Sequence, residues 1–208
     1  MPLTEELIDE LLREQDLEFR AEFEIVNHLL HSTIGDAPED ALLAAGEKLI
    51  CGNVANQRIL GVRLLRELKQ HAGKAASDMA GLLHREQDDD VIYWIASAFG
   101  FLESDSVTSE LVKLAAHDNP GVRYHAATAL ANRGSGELPG ESLTALTVLA
   151  GDADAEVRFS AVFELGTWWQ ASQDPRIEAV LGIALGDGDP HVVRAARDAL
   201  GDQRPGEL

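Results

Sequence analysis

Three stretches of this chain, DNPGVRYHAATAL at 118–130, DADAEVRFSAVFEL at 152–165 and DGDPHVVRAARDAL at 187–200, are variants of one another. Superposing Val122, Val157 and Val192, each 35 residues from the next, aligns Ala126, Ala161 and Ala196 four places on and Leu130, Leu165 and Leu200 eight places on. Val91, Ile95 and Phe99 fill the same columns 31 residues earlier, and Gln57, Gly61 and Leu65 fill them more weakly 34 residues before that. A repeat of this length restricts the architecture more than any other feature of the chain. Each unit is one supersecondary element that cannot bury its apolar faces alone and must stack on its neighbours.

Positions 0, +4 and +8 from the valine lie on one side of a helix, so each unit presents a small residue between two larger apolar ones. The small residue lets neighbouring helices approach closely. Asn119, Asp154 and Asp189, three places before the valine, are short polar residues suited to cap free backbone N–H groups. Pro120 and Pro190 follow at the first helical position, where the missing N–H costs nothing.

A second amphipathic segment precedes each of these helices: ALLAAGEKLICG, AASDMAGLLHRE, SVTSELVKLAAH, ESLTALTVLAG and PRIEAVLGIALG. Helix, short turn and helix, repeated without a strand signal, predict an all-α fold: a right-handed α-solenoid of about five helix pairs with an N-terminal helical cap. The units span about 41–70, 75–104, 106–133, 141–169 and 175–201 within an array at 41–202. Residues 1–40 form the acidic cap, where Leu17, Ala21 and Ile25 echo the repeat, and 203–208 form a tail.

The pattern D-x-x-V-R-x-x-A-x-x-x-L, seen as Asp154, Val157, Arg158, Ala161 and Leu165, resembles the HEAT repeat. It resembles especially the short bacterial HEAT-like repeat also found in phycobilin lyase subunits. The resemblance covers about residues 41–202 and is best in the last two or three units. It departs at Gln57, which replaces the valine, and in an arginine column reading Arg58, Ile92, Arg123, Arg158, Val193. It implies that the second helices line a concave groove and that the commonest role is protein binding, with enzymes a minority.

On that arrangement the columns opposite the core stripe, +2 and +6, face the groove. They hold Ile59, Tyr93, Tyr124, Phe159 and Arg194, and Arg63, Ser97, Thr128, Phe163 and Asp198. Three successive aromatics stand out in a chain that is only 5% aromatic. Together with Arg58, Arg123 and Arg158 beside them, they have the composition of a binding hot spot. The candidate partner-binding residues are therefore Arg58, Arg63, Tyr93, Arg123, Tyr124, Arg158, Phe159, Phe163 and Arg194. A structural use stays open: the rings pack between repeats, and the arginines pair with turn aspartates such as Asp118 and Asp152.

Charge narrows the partner. The chain of 208 residues carries a formal net charge of −19, and residues 1–40 alone hold 12 acidic residues against two arginines. Such a field disfavours nucleic acid and anionic membrane, and makes the N-terminal end a second candidate surface, an acidic one that would neutralise a basic partner as an inhibitor or immunity-type protein does. No apolar run approaches a membrane span, and MPLTEELIDELL lacks the basic start of a signal peptide, so a cytoplasmic protein is expected. The lone Cys51 is read as a free structural thiol.

Chemistry-bearing motifs are few. His28 and His31 share a helical face but have no third ligand nearby in sequence. The metalloprotease, phosphate-loop and nucleophile-elbow motifs are absent. REQDDD at 85–90 reads as a turn whose aspartates cap the next helix. Trp168 is expected to pack toward the core and Trp169 away from it, with Trp94 on the flank of the stack. RGSGELPG at 133–140 reads as an inter-repeat connection. A bilin lyase-like role would set arginines on tetrapyrrole propionates, but no nucleophile is apparent. An alkylpurine glycosylase-like role would need a strongly basic groove with a central carboxylate, for which only Asp198 is at hand. The expectation is a non-enzymatic adaptor or regulator without cofactor or metal, monomeric on its own, that binds a protein or peptide.

Overall fold

The computed structural model describes residues 8–13, 37–102, 105–132 and 138–201. Among the described residues there are ten α-helices in five consecutive pairs, one short 3-10 helix and no strand. The pairs are α1 (Glu39–Leu49) with α2 (Ala55–Arg66), α3 (Ala72–Leu83) with α4 (Asp89–Phe99), α5 (Thr108–Leu114) with α6 (Pro120–Ala131), α7 (Gly140–Leu149) with α8 (Ala155–Ser172), and α9 (Pro175–Ala184) with α10 (Pro190–Leu200). The 3-10 turn, Asp105–Val107, precedes α5, and residues 8–13 are also helical. This is the helix-pair array of an α-solenoid. Most of the expected N-terminal cap, including Leu17, Ala21, Ile25, His28 and His31, lies outside the described residues, as does the 203–208 tail.

The chain divides into two compact units, Met1–Val107 and Thr108–Leu208. In the first, α2 packs against α1 and α4. Gly46 and Gly61 make the contact of α1 with α2 possible, since a Cβ on Gly61 would lie 2.8 Å from the backbone nitrogen of Ile50 and 3.0 Å from the carbonyl oxygen of Gly46. In the second, α8 lies between α6 and α10. A Cβ on Gly166 would meet that of Ala199 on α10 at 2.7 Å, so those two helices also depend on a missing side chain.

The repeat columns are the core. Val91, Ile95 and Phe99, then Val122, Ala126 and Leu130, then Val157, Ala161 and Leu165 are all buried, and Val192 and Ala196 continue the stripe. Each large member removed from water contributes about 1.5–3 kcal/mol. Polar punctuation sets where each second helix begins. Asp88 accepts from the backbone N–H groups of Asp90 and Val91, Asn119 from Gly121, Asp154 from Glu156 and Val157, and Asp189 from His191 and Val192. Each cap is worth about 1 kcal/mol. The first pair has Val54 at this position and no side-chain cap.

One helix departs from the repeat. The α8 helix runs to Ser172 and closes on Gln173 in the left-handed conformation, with φ 53°. The Gln173 side-chain amide donates to the carbonyl of Trp169, which helps hold this conformation. The extra turn brings Trp168 over the end of α6, where its indole N–H donates to the carbonyl of Ala131 at 3.1 Å. That carbonyl belongs to the last turn of α6, where no intrahelical N–H remains to pair with it.

Candidate partner-binding face

The geometry of the arginine column decides which side chains are left for a partner. Arg158 donates from Nε and Nη2 to both carboxylate oxygens of Asp187 at 2.8 and 2.9 Å, and from Nη1 to the carbonyls of Asp152 and Ala153. Arg123 does the same one repeat earlier, forking onto Asp152 at 2.8 and 2.8 Å and donating to the carbonyls of His117 and Asp118. Arg58 forks onto Glu86 at 2.6 and 3.0 Å and donates to the carbonyl of Gly52. Each guanidinium thus ties its own inter-helix turn to the turn of the next repeat, in the bidentate geometry that only arginine supplies. The expectation that Arg58, Arg123 and Arg158 serve a partner is corrected: every guanidinium nitrogen donates within the fold, in the structural use that the sequence left open.

The acids respond as clamped carboxylates should. The hydrogen bonds from Arg158 hold the Asp187 carboxyl below its ordinary range, and those from Arg123 do the same for Asp152, with burial opposing in both. Burial pushes the Glu86 carboxyl up, but Arg58 and the backbone N–H groups of Asp88 and Gln87 outweigh it and leave the group lowered.

Arg63 is corrected as well. It is 1% exposed, and its guanidinium lies 4.9 Å from the ring centre of Trp94, a buried cation on an aromatic face. Ile59, one turn earlier in α2, is also buried, so the +2 and +6 columns of the first pair do not reach solvent. Tyr93 is half-buried on α4 with its ring edge-on to that of Trp94 at 5.9 Å.

The remaining candidates gather in the second unit. Tyr124 on α6, Phe159 and Phe163 on α8, and Arg194 on α10 lie on the solvent side of three consecutive second helices. Phe163 is 55% exposed and tilts against Phe159 with ring centres 6.0 Å apart. Tyr124 stands edge-on to His125 at 5.3 Å, and its hydroxyl has no hydrogen-bond partner among the described residues. Arg194 is exposed and makes only a long contact, 3.4 Å, to Nδ1 of His191. Exposed Glu156 and Asp198 share this side.

Between α8 and α6 runs a stripe of Ser160, Glu164 and Trp168, spaced one helical turn apart. Ser160 lies 3.2 Å from the Thr128 hydroxyl and Trp168 bonds Ala131, so Glu164 faces the last turns of α6. Burial pushes its carboxyl up to about 7, and it has no hydrogen-bond partner among the described residues. The sequence reading singled out neither Glu164 nor the clamp acids Glu86 and Asp187. The acids were legible as a column five places before the valine. Glu164 sits where the other second helices carry Leu64, Ala98, Ala129 and Ala199, a lone charge in an apolar column.

Trp169 is half-buried, so it is not the exposed ring its register suggested. A cleft of 730 Å³ at the corner of Trp168, Ser172 and Ile177 is rimmed by polar side chains that bond within the rim, Ser172 to the carbonyl of Trp168 and Asp174 to the N–H of Arg176. No group of three or more His, Cys, Asp or Glu suited to a metal ion occurs among the described residues. Cys51 is exposed and unpaired. No described helix is long and apolar enough to cross a membrane.

The family described as HEAT repeats matches residues 78–150, a span holding α4 to α7 and, on α6, the clamp arginine Arg123. Residues 78–150 are thus similar to HEAT repeats. The crystal structure of an engineered protein is similar over 93% of this chain and 96% of its own, with a TM-score of 0.51 and 21% identity, and supports the fold alone. The curated proteins include no match. HEAT-like arrays serve as helical scaffolds, often for protein interaction, and the arginine clamps and aspartate caps are the residues by which this scaffold is held.

Proposed function

We propose that this HEAT-like protein is a non-catalytic interaction scaffold that binds a protein segment on the solvent side of α6, α8 and α10. The observation that carries the reading is Phe163, a phenylalanine more than half exposed on a packed helix, stacked on Phe159 and flanked by a tyrosine hydroxyl and a guanidinium with almost nothing to bond. Exposing a large aromatic forgoes about 2 kcal/mol of burial, and rings beside an arginine are the side chains that dominate interface energies.

Affinity capture from lysate, comparing the wild-type chain with Phe163→Asp and Arg194→Glu, tests the site. The expected outcome is loss of the same set of captured proteins in both variants while thermal unfolding stays unchanged, because both side chains are exposed. Capture that is indifferent to both substitutions would remove this face from consideration.

A further inference from the structure

Taking that face as the binding surface, we infer that the segment it receives places one lysine or arginine side chain on Glu164, in the crevice between α8 and the last turns of α6. The inference rests on the proposed binding face and adds the chemistry of its occupant.

Glu164 is an exception among the carboxylates. Every other half-buried carboxylate among the described residues is held by a cation, a hydroxyl or a backbone N–H. Glu164 has none of these among the described residues, and burial pushes its carboxyl up to about 7. Its place on the helix is fixed from both sides, by Ser160 against the Thr128 hydroxyl and by Trp168 on the carbonyl of Ala131.

The two helices have no cation of their own to give it. The charged residues of α6 and α8 are Arg123, Arg158, Glu156 and Glu164, besides His125, whose ionisation is disfavoured by burial. Both arginines have every guanidinium nitrogen committed to their clamps. Two carboxylates are left, Glu156 exposed and Glu164 half-buried. Water and salt screen Glu156, as they screen exposed Arg194 and Asp198 on α10, so none of these three selects a partner strongly. Glu164 does select. A segment lying over Phe163, its neighbour in the chain, takes away the water that Glu164 still reaches. A carboxylate covered without a cation is strongly unfavourable, and supplying the cation offsets that loss. Phe163 and Trp168 give the methylene stem of a lysine or arginine apolar surface beside the carboxylate. Arg194 and the Tyr124 hydroxyl are donors, and the backbone carbonyls of such a segment serve them.

Selection of random peptides displayed on phage, run in parallel on the full wild-type chain and on Glu164→Gln, tests this. Wild type should enrich sequences that share a lysine or arginine at one position, and Glu164→Gln should not. A synthetic peptide of the enriched sequence then gives the size of the effect by fluorescence anisotropy. Replacing its basic residue by the uncharged isostere, norleucine for lysine or citrulline for arginine, should weaken binding about tenfold or more on wild type and less than about twofold on Glu164→Gln. On Glu156→Gln, which removes an exposed carboxylate of the same helix, the isostere should still cost about tenfold. Enriched sequences without a shared basic position, an isostere effect of equal size on Glu164→Gln, or no enrichment at all would each overturn the inference. Peptides that lack the basic residue but lose binding on Phe163→Asp would leave the face standing without its basic anchor, and peptides indifferent to Phe163→Asp would remove the face as well.

Discussion

Replacing Arg158 by methionine keeps most of the side chain's bulk and removes its fork. The wild-type guanidinium makes two bonds to the Asp187 carboxylate and two to the carbonyls of Asp152 and Ala153, and the paired side chains are only 18% and 13% exposed. An exposed ion pair is worth about 0–1 kcal/mol, and breaking a fully buried one costs about 3–5 kcal/mol. This pair is mostly covered, and Asp187 keeps the backbone N–H of Asp189 after the substitution, so a cost of about 2–3 kcal/mol is expected. Urea unfolding followed by tryptophan fluorescence, to which Trp168 and Trp169 on α8 and Trp94 on α4 all contribute, measures it. Arg158→Lys retains the charge without the fork and should recover less than half of the loss. In a double-mutant cycle with Asp187→Asn the coupling should be about 1–2 kcal/mol. The sign with pH follows from the lowered Asp187 carboxyl: its contribution is complete above the ordinary carboxylate value of about 3.9 and is lost as pH falls through the lower folded value. Wild type and variant should therefore converge in strong acid. A cost below about 0.5 kcal/mol at neutral pH, or no coupling to Asp187, would refute the clamp and return these arginines to the list of free binding groups.

Two further substitutions test packing and burial. Gly61→Ala gains about 1 kcal/mol of helix propensity but drives a methyl group against the backbone of Ile50, so a net loss of about 1–2 kcal/mol is expected in thermal unfolding; Gly182→Ala on α9, which meets open space, should gain up to about 1 kcal/mol. Glu164→Gln addresses a carboxyl whose folded value is raised: wild-type stability from this group is complete below the ordinary glutamate value and is lost as pH rises through about 7. After discounting for partial solvent access, the glutamine variant should be more stable by about 1 kcal/mol at pH 8 and equal near pH 4, and identical pH profiles for the two would show that Glu164 is well solvated.

The helix-pair fold was legible because the physics that makes it is periodic. A valine, a small residue and a leucine at 0, +4 and +8 can bury together only on a helix, and the aspartates three places earlier mark its first turn. The binding face was half legible. Residues at +2 and +6 of α6, α8 and α10 reach solvent as the wheel predicts, but the same columns in α2 are buried, so Ile59 and Arg63 were misplaced: a wheel gives direction and does not say what lies in that direction. The +1 arginines were misassigned for a different reason. Arginine beside aromatic residues has the same composition in a hot spot and in a clamp, and only the distance to a carboxylate separates them. A sequence sign of the clamp did exist. Where the arginine column reads Ile92, the acid column one unit on reads His117 in place of a carboxylate, so the two columns change together.

That correlation bears on how binding residues are found in repeat scaffolds generally. A side chain recurring in every unit is under the same geometric demand in every unit, and the demand common to all units is holding neighbours together, as Arg123 and Arg158 do with bonds of matching length. A ligand, in contrast, meets each unit at a different point along its own length and asks something different of each. The column that varies in chemistry while reaching solvent, half-buried Tyr124 and Phe159 and then exposed Arg194, is therefore the better mark of a binding face than the column that repeats. On this ground the arginine ladder and the aromatic-to-arginine series, adjacent on α6 and α8, divide the work: the first spends its hydrogen bonds within the fold, and the second keeps its polar groups available.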